Sequence, residues 1–148
     1  MKFVAINQPH FALTDCYKDK CIEEAVNLNF LGIQINSHLT WRNHIEQIIP
    51  KPRVACYMVR QMYRVCNNDT LGSIYFLYFH SIESYGIILW WNSSYSRKIF
   101  TLQKRIIRIK IDAHRRTSCR EILKRLEILT TPSQYMYSLM SFFNWKSE

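Results

Sequence analysis

Glycine and proline are scarce in this chain, and their scarcity restricts its fold more than any other feature of the sequence. Only three glycines and four prolines occur among its 148 residues. Tight turns depend on these residues, because glycine adopts positive φ angles without strain and proline fixes the φ angle that many turns require. A loop-rich fold or an all-β fold with many tight turns is therefore disfavoured. The sequence predicts a chain that is mostly helical.

The composition is that of a folded protein. Hydrophobic residues make up 48% of the chain and aromatic residues 14%, enough to build a core and far from the composition of disordered proteins. The length fits one domain, or one small domain with a piece of another.

Two periodicities divide the chain near residue 39. Short extended segments are predicted within residues 3–6 and 11–17, and residues 29–36 alternate like a strand. This strand contains Gly32, where we expect a bend or a close approach by another backbone. Apolar residues then recur at helical spacing, with a break expected at Pro50 and Pro52. The sequence thus predicts an α+β, mainly helical fold, with a β portion in residues 1–39 and a helical domain in residues 40–148.

Three later segments have helical patterns. One helix is expected to carry its apolar stripe on Leu71, Ile74, Tyr75, Tyr78, Ile82 and Tyr85. Residues 97–111 are amphipathic, and Thr131-Pro132 marks the start of a last helix. Aromatic side chains at helical spacing are more typical of core packing than of base stacking. We therefore assign the aromatic residues near the C-terminus to the core: Tyr135, Tyr137, Phe142, Phe143 and Trp145.

The positive charge is concentrated in one segment. The formal net charge is +9. Residues 97–125 contain eleven basic and two acidic residues, a net of +9, and the remainder of the chain has nine of each sign. Clustered positive charge of this size suggests a polyanionic partner.

The predicted helix at residues 97–111 presents this charge on one side. Arg97, Lys104 and Arg108 share a face, flanked by Lys98 and Arg105. The opposite face is apolar, with Ile99, Leu102, Ile106 and Ile109. A helix whose charges only keep it soluble usually mixes signs, yet no acid occurs here. Contact with nucleic-acid phosphates is favoured over simple solvation. The candidate nucleic-acid-binding residues are Arg97, Lys98, Lys104, Arg105, Arg108, Arg115 and Arg116.

Signatures of catalysis and of metal binding are missing from the sequence. The only adjacent pair of acids is Glu23-Glu24, and the grouping of His10, Cys16 and Cys21 lacks the compact ligand pairs that zinc prefers. No catalytic residue and no metal site is therefore assigned. Five cysteines without a regular framework, and no visible secretory signal, predict reduced thiols in an intracellular protein, nuclear or cytoplasmic.

Several segments, in order along nearly the whole chain, resemble the reverse transcriptases of non-LTR (LINE-type) retrotransposons of insects and other arthropods. The clearest are Phe-Leu-Gly-Ile-Gln-Ile at residues 30–35, Leu-Thr-Trp at 39–41, Tyr-Phe-His-Ser at 78–81 and Trp-Trp-Asn-Ser-Ser at 90–94. The similarity continues through residues 99–105, Ser-Cys-Arg-Glu at 118–121 and Pro-Ser-Gln-Tyr at 132–135. Two positions depart from the family pattern: Pro52 stands where an aliphatic residue is usual, and Trp91 where a glycine is usual.

The resemblance implies a C-terminal fragment of an RNA-directed DNA polymerase. Phe30, Leu31 and Gly32 would form a strand of the palm edge that borders the primer. The helices after it would form a thumb that holds an RNA–DNA or other nucleic-acid duplex. The aromatic-Ala-Asp-Asp box of the family would lie upstream of Met1, so we expect no activity from this part alone. Mg²⁺ is expected only in the full-length polymerase, and neither a small-molecule substrate nor a membrane is expected for this fragment.

Two other classes of protein stay open. The chain is alternatively an independent basic helical module that binds nucleic acid or another protein, without relation to polymerases. A membrane-associated helical protein is the third class, and only the weakly charged stretch at residues 70–96 favours it.

Overall fold

The computed structural model describes residues 15–17, 20–22 and 25–146, and the side chains of residues 25–145. Helix accounts for 64% of residues 25–146, which confirms the α+β, mainly helical fold class. The chain divides into two compact units, Met1–His44 and Ile45–Glu148. The extended segments predicted in residues 3–6 and 11–14 lie outside the described residues.

The described part of the first unit contains two antiparallel hairpins. Their strands are β1 (Asp15–Tyr17), β2 (Lys20–Ile22), β3 (Asn27–Phe30) and β4 (Ile33–Asn36). In the first hairpin Cys16 is paired with Cys21. In the second hairpin Leu28 is paired with Ile35. Each sheet has only two strands among the described residues.

The structure corrects the prediction of one strand through residues 29–36. The chain reverses at Leu31 and Gly32, whose φ angles are 49° and 79°. Two central residues with positive φ form the type of turn that joins closely paired strands. No atom lies within 4 Å of a Cβ built on Gly32. Glycine is therefore suited to this position by its backbone angle and not by a close approach of another backbone.

The second unit is built from helices, and the first of them crosses the division between the units. The helices are α1 (Arg42–Ile48), α2 (Pro50–Met62), α3 (Asn68–Tyr75), α4 (Ser81–Ser84), α5 (Ile87–Trp90), α6 (Arg97–Lys110), α7 (Cys119–Arg125) and α8 (Thr131–Lys146). The break expected at the prolines is confirmed, since α2 begins at Pro50. Proline fits the first turn of a helix because the backbone N–H it lacks would have no helical partner there.

A π-helical turn, Phe76–His80, joins α3 to α4 and shifts the phase of the predicted stripe. Phe79 and Glu83 are fully buried, whereas Tyr78 and Tyr85 are about half exposed. The assignment of these two tyrosines to the core stripe is therefore wrong. A π-helical turn holds more residues than an α-helical one, so each later position rotates relative to the 3.6-residue period.

Glu83 is a buried acid with little compensation. Neither carboxylate oxygen has a hydrogen-bond partner among the described residues. The Nδ1 atom of the His80 imidazole lies 3.8 Å from the Oε2 atom of Glu83.

The helical core lies mainly between α2 and α6. Ala55 and Val59 of α2 are fully buried, as are Ile99 and Ile107 of α6. The core face of α6 differs from the prediction at one position. Ile107 lies in the core, whereas Ile109 is only half-buried.

The assignment of the C-terminal aromatic residues to the core is wrong for Tyr137, Phe142, Phe143 and Trp145, all of which are exposed. Tyr137, Phe143 and Trp145 are 61%, 59% and 75% exposed. Helix α8 contacts α4, α5 and α6. In the described part of the chain, no helix combines the length and the apolar character needed to cross a membrane.

Candidate nucleic-acid interface

Helix α6 is the scaffold of the candidate interface. Its apolar side chains occupy the core, so its basic side chains are held on the opposite, outer side. Gln103 fixes the helix from within. Its amide nitrogen donates to the Tyr75 hydroxyl at 3.0 Å and to the Leu129 carbonyl at 2.8 Å. Its amide oxygen accepts from the backbone N–H and the hydroxyl of Thr131, at 2.9 and 3.0 Å.

The end of α6 reverses the chain toward its own basic face. The Ala113 N–H donates to the Arg108 carbonyl, and the Asp112 N–H donates to the Ile109 carbonyl. This pair of bonds, with Asp112 at a φ of 53°, is the Schellman arrangement that closes many helices. The Nε of Arg108 donates to the Thr117 carbonyl at 2.9 Å, which ties the following loop to the helix.

The last turn of α2 and the residues after it supply a second basic wall. Arg60 and Arg64 are four positions apart, and both are exposed. The Nε of Arg64 donates to the Tyr63 hydroxyl at 2.8 Å, and the guanidinium carbon lies 5.5 Å from the centre of the same ring. These contacts hold Arg64 against a half-buried tyrosine.

An open groove of about 880 Å³ lies between the two walls. We name it the arginine groove, and it is lined by Arg60, Gln61, Tyr63, Arg64, Thr101, Arg105, Arg108, Ile109, Asp112, Ala113 and Arg115. Five arginines face a single acid, Asp112, so the formal charge of the lining is +4. Such a concentration of guanidinium groups attracts anions, and phosphates in particular.

Arginines of both walls influence the buried thiol of Cys56. Burial raises the pKa of this thiol, while Arg105 on α6 and Arg60 on α2 act in the opposite direction. Two arginines from different helices thus influence one buried thiol. The side chains of Arg60, Arg105 and Arg115 have no hydrogen bond or ion pair with any residue that the structure describes. Their donors are directed to solvent or to a ligand.

The structure brings together three of the seven basic residues selected from the sequence. Arg105, Arg108 and Arg115 line the arginine groove. The other four lie outside its lining: Arg97, Lys98, Lys104 and Arg116.

Two of these four have contacts of their own. Lys98 lies 3.9 Å from a carboxylate oxygen of Glu46, in an ion pair that is about half exposed. The ammonium of Lys104 lies 4.4 Å from the centre of the Phe100 ring. Arg97 and Arg116 are exposed.

The charge pattern of the sequence did not single out Arg60 and Arg64, because net charge summed over long segments hides a local excess. Residues 47–68 contain four basic residues and no acid, a local excess of +4. Acids elsewhere in the chain cancelled this excess in the sum. The signal was present in the sequence, as two arginines four apart beside the apolar positions Cys56 and Val59 of a helix.

The residues of the expected primer-bordering strand lie in the first unit. Phe30 is the last residue of β3, and Leu31 and Gly32 form the turn that follows. Phe30 and Leu31 are exposed. The structure therefore places this trio at the tip of a hairpin.

No group of three or more His, Cys, Asp or Glu side chains within the described residues is arranged to hold a metal ion. Comparison of the chain with protein-family models, with curated proteins and with solved structures finds no match.

Proposed function

We propose that this chain is the C-terminal, thumb-containing part of a non-LTR retrotransposon reverse transcriptase, and that it holds nucleic acid in the arginine groove. One observation carries the binding proposal: five arginines from two helices and the segments that follow them line one open groove that contains a single acid.

The arginine side chain is better suited to binding a phosphate group directly than to attracting diffuse counterions. The planar guanidinium presents donors that match two oxygens of one phosphate, and these charge-assisted hydrogen bonds are stronger than neutral ones. The side chains of three of the arginines have no internal hydrogen bond or ion pair among the described residues, so these guanidinium groups need break no such contact when a phosphate binds.

The groove is suited to grip a backbone without reading its bases. Base recognition needs directed hydrogen bonds to base edges, whereas arginine contacts to phosphates position the nucleic acid and are independent of sequence. Tyr63 is the one aromatic side chain in the lining, and its hydroxyl is occupied by Arg64. We therefore infer an RNA–DNA or other duplex bound through its phosphates.

The resemblance in order along the chain supports the assignment to the polymerase family. On this proposal the chain contributes binding and no chemistry, and Mg²⁺ belongs to the full-length enzyme. The protein would act inside the cell, in the nucleus or the cytoplasm. An independent basic module that binds nucleic acid or protein is the alternative.

The first prediction tests the groove by the salt dependence of binding. The double variant Arg60→Gln/Arg105→Gln removes one arginine from each wall. Each lost phosphate contact reduces the slope of log K against log salt by about 0.9 on a duplex. We expect the slope to flatten by about two units, measured by fluorescence anisotropy on an RNA–DNA hybrid over a range of salt concentrations.

A matched control removes the same charge from exposed positions outside the groove, with Arg53→Gln/Arg125→Gln. We expect its slope to change by less than about one unit. Equal losses in both variants would show diffuse attraction and favour the independent basic module. Binding to an acidic polypeptide in preference to the hybrid would favour a protein partner.

A further inference from the structure

The first hairpin places two cysteines directly opposite each other. Strands β1 and β2 are antiparallel, and their register pairs Asp15 with Ile22, Cys16 with Cys21, and Tyr17 with Lys20. Only two residues separate the strands. Of all the cysteines in the chain, these two are the pair that the backbone register sets side by side.

The register satisfies the backbone requirement of a disulfide. Directly opposed residues of an antiparallel pair have Cα atoms about 4.5 or 5.5 Å apart, depending on whether they exchange hydrogen bonds. Disulfide-bonded cysteines have Cα atoms about 4.4 to 6.8 Å apart, so both kinds of pair qualify.

The described thiols of the second unit are poor competitors. Cys56 and Cys119 are both buried. Burial raises the pKa of the Cys56 thiol, so little reactive thiolate forms at Cys56. Cys66 is partly exposed.

We propose that Cys16 and Cys21 form a reversible dithiol–disulfide site, oxidised by a small-molecule disulfide such as oxidised glutathione. The thiolate of one cysteine attacks a sulfur of oxidised glutathione and releases one glutathione thiolate, which leaves a mixed disulfide. The thiolate of the second cysteine then displaces the other glutathione. The protein loses two protons and two electrons, and one oxidised glutathione becomes two reduced ones. A two-stranded hairpin is only marginally stable by itself, so the bond would hold β1 against β2.

The experiment uses the full chain with Cys66→Ser, which removes the partly exposed thiol. The protein is equilibrated in buffers of reduced and oxidised glutathione, free thiols are alkylated, and the chain is digested with trypsin. Trypsin cleaves after Lys18 and Lys20, between the two cysteines. The peptides of residues 3–18 and 21–42 therefore stay linked only when the disulfide is present, and they separate on reduction.

We expect the equilibrium constant for oxidation to be at least about tenfold larger in native buffer than in concentrated urea, because the hairpin raises the effective concentration of one thiol at the other. The variant Lys20→Cys/Cys21→Ser moves one thiol to the neighbouring position. Since successive residues of a strand face opposite sides, this variant should lose the native advantage. Equal oxidation in urea, equal oxidation of the shifted pair, or linkage of either cysteine to Cys56 or Cys119 would overturn the proposal.

Discussion

Among the residues that the structure describes, five other than glycine adopt positive φ angles, and they show how a chain with few glycines makes its turns. They are Leu31, Leu39, Trp41, Asp112 and Glu127. A left-handed backbone costs an L-residue about 1–2 kcal/mol. Turns therefore still form where glycine is absent, but each of them is less stable than a turn with glycine at the same position.

Glu127 is the position at which the cost of a left-handed backbone can be tested. The Ile128 N–H donates to the Leu123 carbonyl and the Glu127 N–H to the Lys124 carbonyl, so α7 ends in a second Schellman arrangement with Glu127 at φ 53°. Glycine is the usual residue at this position.

We predict that Glu127→Gly raises the free energy of unfolding by about 0.5–1 kcal/mol. The relief of left-handed strain exceeds the extra entropy of glycine in the unfolded chain. Urea denaturation followed by circular dichroism measures the change. Glu127→Ala removes the same charge but keeps the strain, so a gain as large as that of the glycine variant would show that the charge and not the backbone is responsible.

At the scale of elements, Gln103 connects three helices through four hydrogen bonds. It joins α6 to Tyr75 of α3 and to Leu129 and Thr131 at the start of α8. Burial raises the pKa of Tyr75, and Glu83 adds to this effect, while the bond from Gln103 opposes it. A buried amide with every donor and acceptor satisfied fixes the relative position of the helices it joins.

We predict that Gln103→Met lowers the free energy of unfolding by about 2–4 kcal/mol. Methionine has a similar volume but leaves the Thr131 N–H and the Tyr75 hydroxyl, both buried, without their Gln103 partner. Each unsatisfied buried group costs about 1–3 kcal/mol. Thermal and urea denaturation measure the loss. Arg97→Met, at the exposed start of α6, should change stability by less than about 0.5 kcal/mol. A Gln103 variant as stable as this control would contradict the role assigned to the amide.

The elements differ in how far the sequence predicted them. Helix α6 and the start of α8 follow from periodicity and from Thr131-Pro132, because local signals determine them. The sequence did not predict the turn at Leu31, because leucine rarely adopts a positive φ angle. It did not predict the π-helical turn either, because a pattern with a 3.6-residue period does not reveal one extra residue in a turn. The sequence predicted Arg105, Arg108 and Arg115 as candidate binding residues but not the groove, because Arg60 and Arg105 line it together only through the packing of α2 on α6.

At the scale of the whole molecule, the described residues of the two units differ in how far they are buried. All four residues of β3 are exposed, whereas α6 has five buried residues. Local stability follows burial, because a segment with few buried apolar contacts opens without unfolding the rest.

We predict that amide hydrogens of β3 and β4 exchange at least about a hundredfold faster than those of the buried face of α6, corresponding to an opening free energy lower by about 2.7 kcal/mol or more. Hydrogen–deuterium exchange with peptide-level mass spectrometry measures both segments in one sample. The peptide of α7 provides an internal reference from the second unit. Equal protection of β3 and α6 would show that the first unit unfolds only together with the helices.

The π-helical turn has a consequence for the evolution of chain length. Removing one residue between Tyr75 and Phe79 would restore an unbroken α-helical period and still leave Phe79 and Glu83 on the inner face, one position earlier. Relatives that differ by a single-residue gap here would thus share the same core. An alignment that forbids this gap would place Tyr78 against a buried position and misassign every inward residue up to Gly86.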